Sequence, residues 1–163
     1  MRKVKLLVIG KARHGKDTVC EIIERNFGLS WASSSAFAAD VAVYPAIMDK
    51  YGYASKVDAY EDRVNHREEW KDLICQYNTP DKARLAREIL DCRDVYCGMR
   101  QMDEFMSSSH MFDAVIYVDA SRRVGGDDPT MQIPIELADY VIDNNGTIDM
   151  LIESIGDCIS CVL

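Results

Sequence analysis

Val4-Lys5-Leu6-Leu7-Val8-Ile9-Gly10-Lys11-Ala12-Arg13-His14-Gly15-Lys16-Asp17-Thr18 joins an apolar run to an amphipathic one through a loop with a glycine at each end. Val4 to Ile9 is a β-rich run that stops at a glycine. Beyond the loop, Val19, Ile23 and Phe27 fall four residues apart, on one face of a helix. Between them, residues 10–18 match GxxxxGK, with Asp17 where serine or threonine usually stands and Thr18 one place later. Glycines at both ends let the backbone curl so that successive N–H groups converge on an anion, and the helix start behind them adds partial positive charge. Gly10, Lys11, Ala12, Arg13, His14, Gly15, Lys16, Asp17 and Thr18 are therefore candidate phosphate ligands. Lys16 is expected to be exposed in the empty loop and to reach the β- and γ-phosphates of a nucleotide. The plainer reading is a glycine turn between strand and helix with Lys16 solvated, and the position of the motif between an apolar strand and an amphipathic helix favours the first.

Strand-like and helical segments alternate along all 163 residues, without a repeat or a Pro/Gly/Ser linker. That alternation implies an α/β architecture with crossover helices and a parallel sheet covered on both faces. Strands are expected at residues 29–33, 94–99, 114–119 and 139–143. Helices are expected at about 36–51, from 58 onward with Asn65 as a cap, and from Thr79-Pro80 to about Leu90. A last helix from Thr147 presents Ile148, Leu151, Ile152, Ile155, Ile159 and Val162 as one apolar stripe. Ligands of such sheets bind beyond the carboxyl ends of the strands, which directs attention to residues 10–18, 33–35, 98–100, 121–123 and 144–146.

A length of 163 residues and 48% hydrophobic content fit a single domain with one core. The net charge of −8 argues against a nucleic-acid polymer or an anionic membrane as partner. Any bound anion must be held by a few local cations. The apolar run near the start is too short for a signal-peptide core or a membrane span, so a cytoplasmic protein is expected. Only Cys158 and Cys161 among six cysteines show CxxC spacing, and without a second pair they read as ordinary thiols.

The Gly-Lys-Asp-Thr end of the loop, Asn65-His66-Arg67-Glu68-Glu69-Trp70-Lys71, Gly98-Met99-Arg100 with Glu104 four residues on, and the run Ala138 to Gly146 together resemble bacteriophage-type deoxynucleoside monophosphate kinases. The resemblance spans nearly the whole chain. It implies the three-layer P-loop kinase fold around a five-stranded parallel sheet, ATP as phosphoryl donor with Mg²⁺, a nucleotide acceptor, and a monomer or homodimer. It further implies a helical acceptor-binding segment at about 34–90 and a short lid at about 121–135. One departure stands out: the family carries Asp-x-Arg at the end of the third strand, and here glycine replaces the acid. That shifts the metal role onto Asp17, directly or through water.

The remaining candidates follow from charge and position. Arg67 in a first helical turn opposes the helix dipole, which suggests a bound anion, and with Arg63 it could clamp an acceptor phosphate. Arg100 at a strand end would bind the acceptor or stabilise the transferring group, and Glu104 would orient Arg100 or touch the acceptor. Arg122 and Arg123, ahead of Gly125 and Gly126, fit lid arginines that arrive on closure. Ser33, Ser34 and Ser35 could meet the acceptor or cap a helix. Asn144, Asn145 and Gly146 form a good turn, which the resemblance places against the donor's adenine. Two rival readings remain open: a P-loop kinase with another small acceptor such as dephospho-coenzyme A, and a nucleotide-binding regulatory module that transfers nothing.

Overall fold

A computed structural model describes residues 2–163. Five strands, β1 (Leu6–Ile9), β2 (Trp31–Ser33), β3 (Val95–Cys97), β4 (Ala114–Asp119) and β5 (Tyr140–Asp143), form one sheet in the order β2-β3-β1-β4-β5, every neighbouring pair parallel. Val8 lies opposite Cys97 on one side and Ile116 on the other. The carboxyl ends of β1, β3 and β4 therefore finish side by side, and the chain leaves β1 toward one edge of the sheet but leaves β3 and β4 toward the other, so the switch point where such folds bind ligands lies beside β1.

The described residues form eight α-helices: α1 (Lys16–Phe27), α2 (Ser34–Ala38), α3 (Tyr44–Tyr51), α4 (Lys56–Asp62), α5 (Arg67–Tyr77), α6 (Arg84–Cys92), α7 (Met102–Ser108) and α8 (Ile148–Val162). Alternate strand residues face opposite layers. Leu6, Val8, Val95, Ile116 and Ile142 pack on Val19 and Ile23 of α1 and on Leu151, Ile155 and Ile159 of α8. Leu7, Ile9, Tyr96 and Tyr117 face Leu85 and Ile89 of α6 and Phe105 of α7. Full burial of each aliphatic side chain contributes about 1.5–3 kcal/mol, so these two layers carry most of the stability. A third cluster, Val43, Tyr44, Ile47, Ala59 and Trp70, sits among α3, α4 and α5.

Several boundaries differ from expectation. The helix expected from Thr79-Pro80 begins at Arg84 and ends at Cys92, because side chains claim the backbone ahead of it. Asn78 Oδ1 accepts the Leu85 N–H at 3.1 Å, Asn78 Nδ2 donates to the Lys82 carbonyl at 3.2 Å, and Asp81 Oδ1 accepts the Ala83 N–H at 3.0 Å. Asn65 does not cap α5: its amide donates to Asp62 at 2.6 Å inside a 3₁₀ turn, and His66 holds the cap position without a side-chain bond. The single helix expected over 36–51 is two helices joined by a π turn at Ala39–Val43. Pro45 has no N–H to give and its ring crowds the carbonyl four residues back, so the ladder changes register there. On α8, Ile148 and Ile152 are exposed, and the buried stripe is Leu151, Ile155, Cys158 and Ile159.

Candidate active site

The loop after β1 curls through three residues with positive φ: Gly10 (149°), Arg13 (63°) and Gly15 (91°). At Gly10 the backbone runs against β4, where a Cβ would stand 2.5 Å from the Val118 carbonyl oxygen. At Gly15 a Cβ would stand 2.4 Å from Asn144 Nδ2, an amide that donates to the His14 carbonyl at 2.9 Å. The turn after β5 is thus clasped onto the loop. His14 is buried, and its Nδ1 accepts the Ala120 N–H at 3.0 Å, which leaves the proton on Nε2. Burial lowers the His14 pKa, opposed in part by Asp119 at 3.9 Å. His14 is therefore a neutral strut between loop and β4.

Lys16 is buried rather than exposed, because its ammonium turns back to donate to the Lys11 carbonyl at 2.9 Å. Burial lowers its pKa, and the positive charge of Arg100 lowers it further. A polyanion in the loop would relieve both effects. Asp17 and Thr18 are exposed in the first turn of α1, and Asp17 Oδ1 accepts the Cys97 thiol at 3.5 Å. Mg²⁺ in such sites usually takes one or two carboxylates plus substrate phosphates rather than a full protein cage. One accessible acid beside an anion loop fits that donor set, with Asp17 and Thr18 as the groups that would hold the ion.

Beside the end of β3 lies a cavity of about 340 Å³, lined by Ser34, Ser35, Lys71, Lys82, Arg100 and Glu104 among others. Ser34 Oγ donates to the Gly98 carbonyl at 3.2 Å, and the Ser33 and Ser35 hydroxyls lie 3.0 Å apart. None of the three caps α2 through its side chain at Ser33, the cap position. Glu104 does not orient Arg100. Its Oε1 accepts the hydroxyl of fully buried Tyr96 at 2.5 Å, and burial pushes its carboxyl pKa up. Arg100 instead donates through Nη1 to Asp128 Oδ2 at 2.9 Å and to Thr130 Oγ1 at 2.7 Å. The same Asp128 oxygen accepts the Ala12 N–H of the loop at 2.8 Å. Bonds from Thr130, Ala12 and Arg100 hold the Asp128 carboxyl well below the usual carboxylate range.

The other arginines lie elsewhere. Arg63 stacks on Tyr60, 3.5 Å from its ring centroid, and with Arg67 and Trp70 lines a separate cavity of about 300 Å³. Neither Arg63 Nη1 nor Trp70 Nε1 has a hydrogen-bond partner. Arg122 and Arg123 are exposed and bound to the turn after β5. Both backbone N–H groups donate to Asn145 Oδ1, Arg122 Nη2 meets Asp143 Oδ2 at 2.7 Å, and Arg123 Nε donates to the Asn144 carbonyl at 3.1 Å. Together with Gly146, Asp143 and Met150, Arg122 and Asn145 border a further cavity. Sequence reasoning missed Lys71, Lys82, Asp128 and Thr130. Lys71 stands one helical turn beyond Arg67, a signal that was available; the pairing of Asp128 with Ala12 spans 116 residues and left none.

Sheet order, loop and flanking helices together define the P-loop kinase fold. Among solved structures with it, the chain is similar to a shikimate kinase from Aquifex aeolicus vf5 (TM-score 0.56, 11% identity, 96% of each chain covered). A shikimate kinase from Bacteroides thetaiotaomicron gives 0.57, 9% and 98% of each chain. A dephospho-CoA kinase from Campylobacter jejuni gives 0.52 and 16%, with 96% of this chain and 95% of that one covered. No protein-family model and no curated protein matches the sequence.

Proposed function

We propose that the chain is an ATP-dependent kinase that transfers the γ-phosphoryl group to a deoxynucleoside monophosphate. The observation that carries this reading is the meeting, at the carboxyl end of the sheet, of the Lys16 loop and a cavity bearing three cations, Lys71, Lys82 and Arg100. A regulatory module that only bound nucleotide would need the first feature and not the second. Phosphoryl transfer is mostly positioning and neutralisation of spread negative charge, and these residues supply both: the loop and Lys16 for the donor, Arg100 between the two sites, the lysines for an anionic acceptor. Mg²⁺ beside Asp17 would neutralise the donor's β- and γ-phosphates.

The same cavity favours a phosphate acceptor over a hydroxyl acceptor such as dephospho-coenzyme A. A hydroxyl needs a base to take its proton, yet the strand-end acid is replaced by Gly98, and Glu104, the carboxyl among the lining residues, is engaged by Tyr96. A phosphate monoester arrives already ionised. The volume of about 340 Å³ is at the small end for ligand pockets, which suits a mononucleotide better than a coenzyme A precursor. Arg122 and Arg123 are assigned to the lid, able to leave the β5 turn for the transferring group when nucleotide is bound.

The test is a coupled ADP-release assay with the common deoxy- and ribonucleoside monophosphates, with dephospho-coenzyme A as comparator. Turnover on one or more deoxynucleotides is expected. Activity on dephospho-coenzyme A alone moves the assignment to the hydroxyl-acceptor kinases, and ATP binding without turnover on any acceptor favours the regulatory module.

A further inference from the structure

Asp128 stands in a segment that runs from Gly125 and Gly126, both exposed and with open space around them, to the buried anchor Ile133. Every polar contact of its carboxylate faces a group suited to phosphate. Oδ2 accepts the Ala12 N–H at 2.8 Å and Arg100 Nη1 at 2.9 Å; Oδ1 accepts the Thr130 hydroxyl at 2.6 Å and the Thr130 N–H at 3.2 Å. A loop N–H and a guanidinium converging on one anionic oxygen is the coordination that a phosphate oxygen of a bound nucleotide would receive. Next to it, Lys11 Nζ lies 3.7 Å from Asp127. The segment is fastened beyond the acid as well, where the Gln132 N–H donates to the Arg100 carbonyl at 2.8 Å.

We propose that Asp128 is an internal stand-in for a nucleotide phosphate oxygen, a latch that holds the loop closed until the donor displaces it. The inference rests on the reading of residues 10–18 as the donor site, and it names the regulation of that site. Binding then requires the open form, so the apparent dissociation constant is the intrinsic one divided by the open fraction. An anionic acceptor that drew Arg100 toward the cavity would take away one of the latch's two partners on Oδ2 and raise donor affinity. By reciprocity the donor would raise acceptor affinity by the same factor.

Isothermal titration of ADP, and separately of inorganic tripolyphosphate, without metal or acceptor, tests this on the whole chain. Asp128→Ala should bind both more tightly, by roughly tenfold if the latch is closed nine-tenths of the time. Because deleting any acid near an anion site raises anion affinity, Asp127→Ala serves as the charge-matched comparison and should gain much less. Thr130→Val, which changes no charge and removes the hydroxyl that holds both Asp128 and Arg100, should shift affinity in the same direction as Asp128→Ala and keeps the test available if that variant folds poorly. Equal gains in the two acid variants, or no gain in Asp128→Ala and Thr130→Val while wild type binds ADP, overturn the latch and leave the donor site standing. If neither wild type nor variants bind either ligand, the donor site is wrong and the latch falls with it.

Discussion

At Lys16 the ammonium folds back on the Lys11 carbonyl and waits as a buried cation with a lowered pKa. Replacement by Met keeps nearly the same volume and removes a buried charge, so the fold should survive it. Transfer should fall by at least about 10²-fold, the usual cost of one preorganised charge-stabilising donor. A folded Lys16→Met protein with normal turnover would remove the loop from the mechanism. His14 gives a pH prediction. Its folded pKa is depressed below the unfolded value near 6.5, so the unfolded chain binds the proton more readily. Stability is then full above about pH 6.5 and declines as pH falls below it toward the lowered folded pKa. His14→Asn keeps an acceptor for the Ala120 N–H and cannot titrate, so its melting temperature should fall less than that of wild type between pH 7.5 and 5.5. Matching slopes in the two proteins would refute the assignment.

Among the elements, β1, its loop and α1 were legible because everything that makes them is local: an apolar run, two glycines and a four-residue apolar spacing. Strands β4 and β5 and the parallel pairing followed from the same alternation. The start of α6 was not legible, since the Asn78 and Asp81 side chains bond backbone groups of residues 82, 83 and 85 that a helix starting at Pro80 would use itself. The cavity beside β3 was half legible: Arg100, Glu104 and the serines lie near strand ends, whereas Lys71 and Lys82 come from the helical segment and are brought in by tertiary packing. Arg63 and Arg67 carried the right charge but line a different cavity. The clasp between loop and β5 turn makes an element-scale prediction. Gly15→Ala places a methyl against Asn144 Nδ2 at a positive φ, at a cost on the order of 1–3 kcal/mol. It should raise the nucleotide dissociation constant more than Asn144→Ala, which loses the clasp without straining the backbone. Equal effects from the two would mean that strain at Gly15 does not matter.

Over the whole molecule, an acidic chain brings Lys16, Lys71, Lys82 and Arg100 to where the carboxyl ends of β1 and β3 meet, and many of its lysines and arginines pair with acids, as in Arg84 with Glu88 and Arg87 with Asp81 on the surface and Arg100 with Asp128 at the site. Surface pairs of this kind contribute little to stability, so the two core layers on the sheet set it. The third apolar cluster has a different consequence. Val43, Tyr44, Ile47, Ala59 and Trp70 pack among α3, α4 and α5, and Ile74 is the partly buried side chain that touches this cluster and the sheet layer alike. A group of helices with its own small core, tied to the sheet layer by Ile74 and to α6 by the Tyr77–Glu88 bond and by Arg84 stacked on Tyr77, can open without melting the sheet. In deuterium-uptake measurements, amides of α3 to α5 should therefore exchange as one cooperative unit well before those of β1, β3 and β4, and Ile74→Ala should hasten the first group while leaving the second nearly untouched. Uniform protection across both groups would mean that the molecule opens only as a whole.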